Sequence, residues 1–163
     1  MAEDANENPK IGLSAEARKA VTDVLNRILA DEFTLYVQAR AFHWNVTGRH
    51  FKQDHALFEE EYEAQDEIID DVAERIRALG FKVQATMAQF IDQAAMSESD
   101  STDISSEEMI SLLLDRHEAL ASQLRSDIEL ADDASDEATA DFLTGLLEGH
   151  EKRAWMLRAM MER

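Results

Sequence analysis

Helical spacing places an imidazole and a set of carboxylates on one side of a single segment. His55 stands in an apolar stripe, Phe51, Phe58, Tyr62, Ile69, Val72, Ile76 and Leu79, whose steps are those of a helix. At about 100° per residue, Glu59, Asp66, Asp70 and Glu74 fall within roughly 100° on one side of His55. The acids therefore flank the ring instead of occupying the opposite face. The chain has 0 Cys, which excludes disulfides, thiol catalysis and thiolate sites, so a metal held here must sit on imidazole and carboxylate. That ligand set suits iron, manganese or zinc. Taken singly, a His in an apolar stripe is an ordinary core or interface residue, and acids four apart are an ordinary solvated helix face.

Distance limits how these groups combine. From His55 to Asp70 a helix rises about 22 Å, so the two side chains cannot share a metal within one straight helix. Two copies packed antiparallel about a two-fold axis near residues 62 and 63 would bring His55 of one level with Asp70 of the other, supplying two equal sites at one interface. A di-metal centre inside one bundle uses Glu-x-x-His pairs. The residues three before His43, His55, His117 and His150 are Arg40, Lys52, Leu114 and Leu147, none of them acidic. Spacing thus disfavours the within-bundle site and leaves the between-chain site open.

The elements that must position these residues are helices. The 163 residues are 45% hydrophobic and 31% charged, with 5 Gly and 1 Pro, too few chain-breakers for the turns of an all-β fold. One all-α domain is expected over residues 14–163, preceded by a loose acidic arm over 1–13. Ser14 is the expected N-cap of a first helix carrying Val21, Leu25, Ile28, Leu35, Ala39 and Phe42. Gly48 is the expected left-handed stop of that helix, and Gly80 that of the second. Val83 to Ala95 reads as a short helix in a long crossover. Ser105 with Glu108 forms a capping box for a third long helix, and a fourth begins near Ser135. Four long helices with a long second-to-third connection describe a ferritin-like four-helix bundle with a short extra helix in the crossover.

Lys+Arg 16 against Asp+Glu 35 gives a formal net charge of −19, a surface that repels phosphate backbones and anionic membranes and attracts cations. No segment approaches the length of a bilayer span, and the acidic start Met1-Ala2-Glu3-Asp4 is unlike a signal peptide. The cytoplasm is the expected compartment, with no membrane partner.

His43-Trp44-Asn45, Gly48, Phe51, His55 and Phe58, followed by Asp70-x-x-Ala73-Glu74-Arg75, closely resemble the signature of the Dps miniferritins, the DNA-protection-during-starvation family. Leu79-Gly80 and Glu151-Lys152-Arg153-Ala154-Trp155-Met156 extend the likeness to essentially the whole chain from Ser14 to Arg163. The resemblance implies a homo-dodecameric shell with ferroxidase activity, which oxidises ferrous iron, preferentially with hydrogen peroxide, and stores ferric oxide inside. It further implies that His43 and His55 from one subunit, and Asp70 and Glu74 from its two-fold partner, are the catalytic iron ligands, with Glu59 helping to hold a second iron and Trp44 beside the site. Asp132, Glu137 and Asp141 match the lining of acidic three-fold pores, within an acid-rich junction that also holds Asp133 and Asp136. Two departures stand out. Lys10 is the only base in an arm that is often Lys/Arg-rich in the family, so DNA binding is not expected, and Arg153 stands where the family often has histidine. His50 and His117 read as ordinary structural or surface residues. A DNA-coating shell and a non-enzymatic acidic cage are the rival readings.

Overall fold

A computed structural model describes residues 7–100 and 102–161. Its order is α1 (Ala15–Asn45), α2 (Phe51–Ala78), α3 (Met87–Gln93), α4 (Ser106–Asp133) and α5 (Glu137–Met161), with no strand among the described residues. The all-α class, the four long helices and the crossover helix are therefore as expected. No helix is long and apolar enough to cross a membrane among the described residues.

Local chemistry sets the helix boundaries. The Ser14 hydroxyl accepts from the Ala17 N–H, and at α4 the Ser105 hydroxyl accepts from Glu108 N–H while the Glu108 carboxylate accepts from Ser105 N–H. A second capping box, Thr86 with Gln89, starts α3. At the end of α2, Phe81 N–H donates to the Ile76 carbonyl and Gly80 N–H to the Arg77 carbonyl, with Gly80 at φ +91°, a Schellman stop. The same pattern closes α4, but its left-handed residue is Ser135 at φ 57°. Ser135 therefore ends α4, and Asp136 caps α5 by accepting from Thr139 N–H.

Two expectations need correcting. Gly48 does not stop α1, which ends at Asn45 with Val46 as cap. At φ +120° it lies in the turn that launches α2, where Phe51 N–H donates to its carbonyl. Of the arm expected over 1–13, residues 1–6 lie outside the described residues, as do Ser101 and residues 162–163. Glu7 and Asn8 are tied down: Glu7 N–H donates to the Gly80 carbonyl, Glu7 pairs with Arg77 at 2.9 Å, and buried Arg18 donates to both Asn8 and the Leu79 carbonyl.

Short loops make α1 and α2, and α4 and α5, antiparallel neighbours, while α3 lies against α1. One apolar layer holds Val21, Leu25, Ile28, Val72, Ile76, Leu124 and Leu143. A second, toward the other end, holds Leu35, Phe42, Phe58, Met109, Leu113 and Leu157. Each such side chain stabilises the bundle by roughly 1.5–3 kcal/mol against exposure. The polar residues Glu32, Glu61, Gln65, His117 and His150 are buried where the two layers meet.

Candidate metal site

His43 lies in the last turn of α1 and His55 in the second turn of α2, and the 46–50 turn folds one helix end onto the other. The two rings stack with centroids 3.6 Å apart and planes at 23°. Each imidazole reaches the other's backbone: His43 Nδ1 is 2.9 Å from the His55 carbonyl, and His55 Nδ1 is 2.8 Å from the His43 carbonyl. A carbonyl oxygen only accepts, so both Nδ1 atoms carry the proton. In the neutral rings both Nε2 atoms keep a lone pair for a cation.

Aromatic and acidic groups complete the neighbourhood. Glu59, one turn beyond His55, accepts from the Tyr62 hydroxyl at 3.2 Å, and the Tyr62 ring meets His43 edge-on at 5.3 Å. Phe51 stacks on the other side of His55 at 5.1 Å. The Arg40 guanidinium lies 4.2 Å from the Tyr62 centroid and within 5.6 Å of the Trp44 ring, which is 69% exposed.

Asp66, Asp70 and Glu74 are exposed farther along the same helix, and the rise between them and His55 keeps them apart within one chain. Among the described residues, no three His, Asp or Glu side chains of one chain already form a metal-holding group. The structure thus stacks His43 on His55, joins Glu59 to this pair only through the Tyr62 ring, and leaves Asp70 and Glu74 exposed away from it. Arg75, from the same signature, points elsewhere: it donates to Thr139 at 2.8 Å and to the buried Asp136 at 2.7 Å, tying α2 to the start of α5. Of the junction acids, Asp132, Asp133, Glu137 and Asp141 are exposed and Asp136 is not.

Sequence reasoning missed the interior. Of the two alternatives left open for His117, structural or surface, the structure takes the first: the ring is fully buried and hydrogen-bonded to both His150 and Glu61. Its place in the stripe Ile110, Leu113, His117, Leu120, Leu124 was the available signal.

The Ferritin-like domain family model matches residues 22–163. The DNA protection during starvation protein of Brevibacillus brevis is 37% identical over 150 residues, covering 92% of this chain and 100% of the relative. The chain belongs to the Dps family of ferritin-like proteins. A low temperature-induced protein of Nostoc sp. is 42% identical over 153 residues, 93% of this chain and 86% of its own length. Among solved structures, the Dps protein of Vibrio cholerae O1, described as a member of a broad superfamily of ferritin-like diiron-carboxylate proteins, superposes with TM-score 0.90. It shares 30% identity and covers 95% of this chain and 97% of its own. The family likeness read from His43-Trp44-Asn45 and Asp70-x-x-Ala73-Glu74-Arg75 is borne out.

Proposed function

We propose that this chain is a cytoplasmic iron-storing ferroxidase, assembled as a homo-dodecamer, whose substrates are ferrous iron and, preferentially, hydrogen peroxide. The observation that carries the reading is the reciprocal lock of His43 and His55, which fixes both tautomers with Nε2 free. Such preorganisation is what a transient cation substrate requires, since the ligands need not be ordered on each turnover. Asp70 and Glu74 of the two-fold partner supply the anionic half, and Glu59, oriented by Tyr62, supplies a carboxylate for a second iron. Oxygen-rich ligation favours ferric over ferrous iron, and few protein ligands leave positions open for the oxidant. Two ferrous ions give up two electrons, and one hydrogen peroxide takes them with two protons, breaking its O–O bond to yield two waters. The ferric product passes to the cavity as oxide.

A subunit-mixing experiment tests the shared site. One variant carries His43→Ala and His55→Ala, the other Asp70→Ala and Glu74→Ala, and each alone assembles but oxidises ferrous iron slowly. Dissociated and reassembled together, a mixed dimer has one site with every substitution and one with none. Peroxide-driven oxidation then recovers in proportion to the mixed dimers. If mass spectrometry finds mixed dimers and activity stays at the parents' level, the shared site is wrong. A wild-type shell that leaves ferrous oxidation at the protein-free rate supports the non-enzymatic cage instead.

A further inference from the structure

A cavity of about 430 Å³ opens between α1, α4 and the crossover that follows α3. Arg27 and Asp31 of α1 form one wall, and Asp31 is about 18 Å along that helix from His43. Leu112, Asp115, Arg116, Ala119 and Gln123 form the opposite wall; they recur every three or four residues and so share one face of α4. The crossover supplies Ala95, Met96 and Ser97. Small-molecule pockets occupy about 300–1,000 Å³, so the space is enough for a compact ligand.

The charged groups of the lining fall into two sets. Arg27 donates to both Asp31 and Asp127, and Asp31 also accepts from the Met96 N–H at 2.8 Å, so these three are engaged with one another and with the chain. Arg116 and Asp115 are not. Arg116 donates from Nη2 to the Ser99 hydroxyl at 2.9 Å, its Nε–H is buried without an acceptor, and among the described residues no carboxylate stands within ion-pair distance of it. Asp115 is exposed and accepts no hydrogen bond from the described residues. Neighbouring helix positions diverge by about 100°, so the two groups flank the cavity instead of pairing.

Burial lowers the Arg116 pKa, against the pull of Asp115 and Glu98, so its guanidinium is partly dehydrated without a counter-ion in contact. The head is also held in place. Ser99, which accepts from it, exchanges two hydrogen bonds with Gln38 of α1, Gln38 Nε2 to the Ser99 carbonyl at 3.1 Å and Ser99 N–H to Gln38 Oε1 at 2.8 Å. With Nε enclosed and Nη2 engaged, Nη1 is the edge left to a ligand. Met96, Leu112, Ala119 and Leu120 make much of the remaining lining apolar.

We propose that this cavity binds a free apolar α-amino acid as its zwitterion, with the carboxylate on Nη1 of Arg116, the ammonium on Asp115 and the side chain on Met96, Leu112, Ala119 and Leu120. Each unengaged group of the lining then has a partner of its own kind. A simple anion would leave Asp115 unanswered and meet the repulsion of a molecule of net charge −19. A simple cation would leave Arg116 without a counter-ion and add a like charge beside it. The zwitterion is neutral overall and carries both charges on one carbon, which suits two groups that stand at neighbouring positions of one helix. Arg116 is the main anchor because it is half-buried, and the exposed Asp115 contributes as a rim charge. Since Gln38 and Ser99 already fix the guanidinium, little ordering opposes binding.

L-Leucine is the probe, and the target is the iron-free assembled protein with carbon-13 in its methionine methyl groups, because Met96 lines the cavity while Met109 is buried in the core. Titration should shift the Met96 methyl signal saturably and leave that of Met109 in place. 4-Methylpentanoate, which lacks the ammonium, and isoamylamine, which lacks the carboxylate, should each bind more weakly than leucine. Arg116→Gln should weaken leucine binding about tenfold or more, and Asp115→Asn by about twofold to fivefold. A Met96 signal that does not shift saturably, either analogue binding as tightly as leucine, or leucine binding untouched by Arg116→Gln overturns the proposal. The analogue comparison uses the unsubstituted protein, so it decides the matter should Arg116→Gln not assemble. None of the lining residues is a proposed iron ligand, so failure here leaves the ferroxidase reading intact, and the subunit-mixing test can fail without touching this one.

Discussion

His43 and His55 each donate to the other's carbonyl, so neither ring can turn without breaking its own bond to the opposite helix end. Their identity and spacing were legible in the sequence. Their mutual lock was not, because it depends on how the 46–50 turn, with Gly48 at φ +120°, aims one helix end at the other. Two left-handed positions make opposite predictions at this scale. At Gly80 an added Cβ would lie 2.7 Å from the Glu7 carbonyl oxygen and 2.8 Å from Pro9 Cδ, in a conformation L side chains avoid. Gly80→Ala should therefore cost about 1–3 kcal/mol and release Glu7 to Pro9, read as a lower urea midpoint and faster proteolysis of the N-terminal segment. Ser135 occupies the equivalent place after α4, is exposed, and carries the strain that Gly80 avoids. Ser135→Gly should raise stability by about 0.5–1 kcal/mol, and an unchanged or lower midpoint would show that φ 57° is not strained there.

At the scale of the element, what was readable was local. Ser14 and the Ser105/Glu108 box sit three or fewer residues from the N–H groups they satisfy, so their pattern survives in sequence. The polar layer was unreadable for the opposite reason: Glu32 and His150 meet across 118 positions, and only the rotation of each helix brings them together. The α4 capping box also carries a pH dependence. Hydrogen bonds from the Ser105 N–H, then from its hydroxyl, hold the Glu108 carboxyl below its ordinary value of 4.5. A carboxyl depressed in the folded state contributes stability that is fully present above the unfolded value and is lost as pH falls through the folded one. The stability difference between the protein and Glu108→Gln should accordingly be constant above about pH 5 and shrink steadily toward pH 3. Urea midpoints that differ equally at pH 3 and pH 7 would remove the carboxylate from the cap.

For the whole molecule, charge and exposed apolar surface act on different partners. Ile91, Met87 and Trp155 are 78%, 63% and 62% exposed in the single chain, apolar surface of the kind that interfaces between chains use. The acids remain outside that pattern, and Asp132, Glu137 and Asp141 are all exposed at the α4–α5 junction. If three copies of this junction surround a pore, Asp141→Asn should slow iron uptake at limiting ferrous iron while leaving the shell's sedimentation unchanged, and uptake at the unsubstituted rate would remove the pore role. The relatives named for DNA protection raise the question of whether this chain binds DNA, and the net charge of −19 answers it in one direction. Non-specific affinity comes from Lys and Arg displacing the counterions condensed on the duplex. Here the N-terminal segment over 1–13 holds Lys10 as its only base, and its Glu7 is engaged with Arg77 on the bundle. Plasmid mixed with the assembled protein should therefore migrate unretarded at about 150 mM salt without divalent metal, and lowering the salt should not create retardation, because there are few counterions to release. Retardation that strengthens as salt is lowered would reveal a cationic face that the net charge hides. Retardation only on adding magnesium would instead mean that the ion bridges carboxylate to phosphate, with the acidic surface itself as the contact.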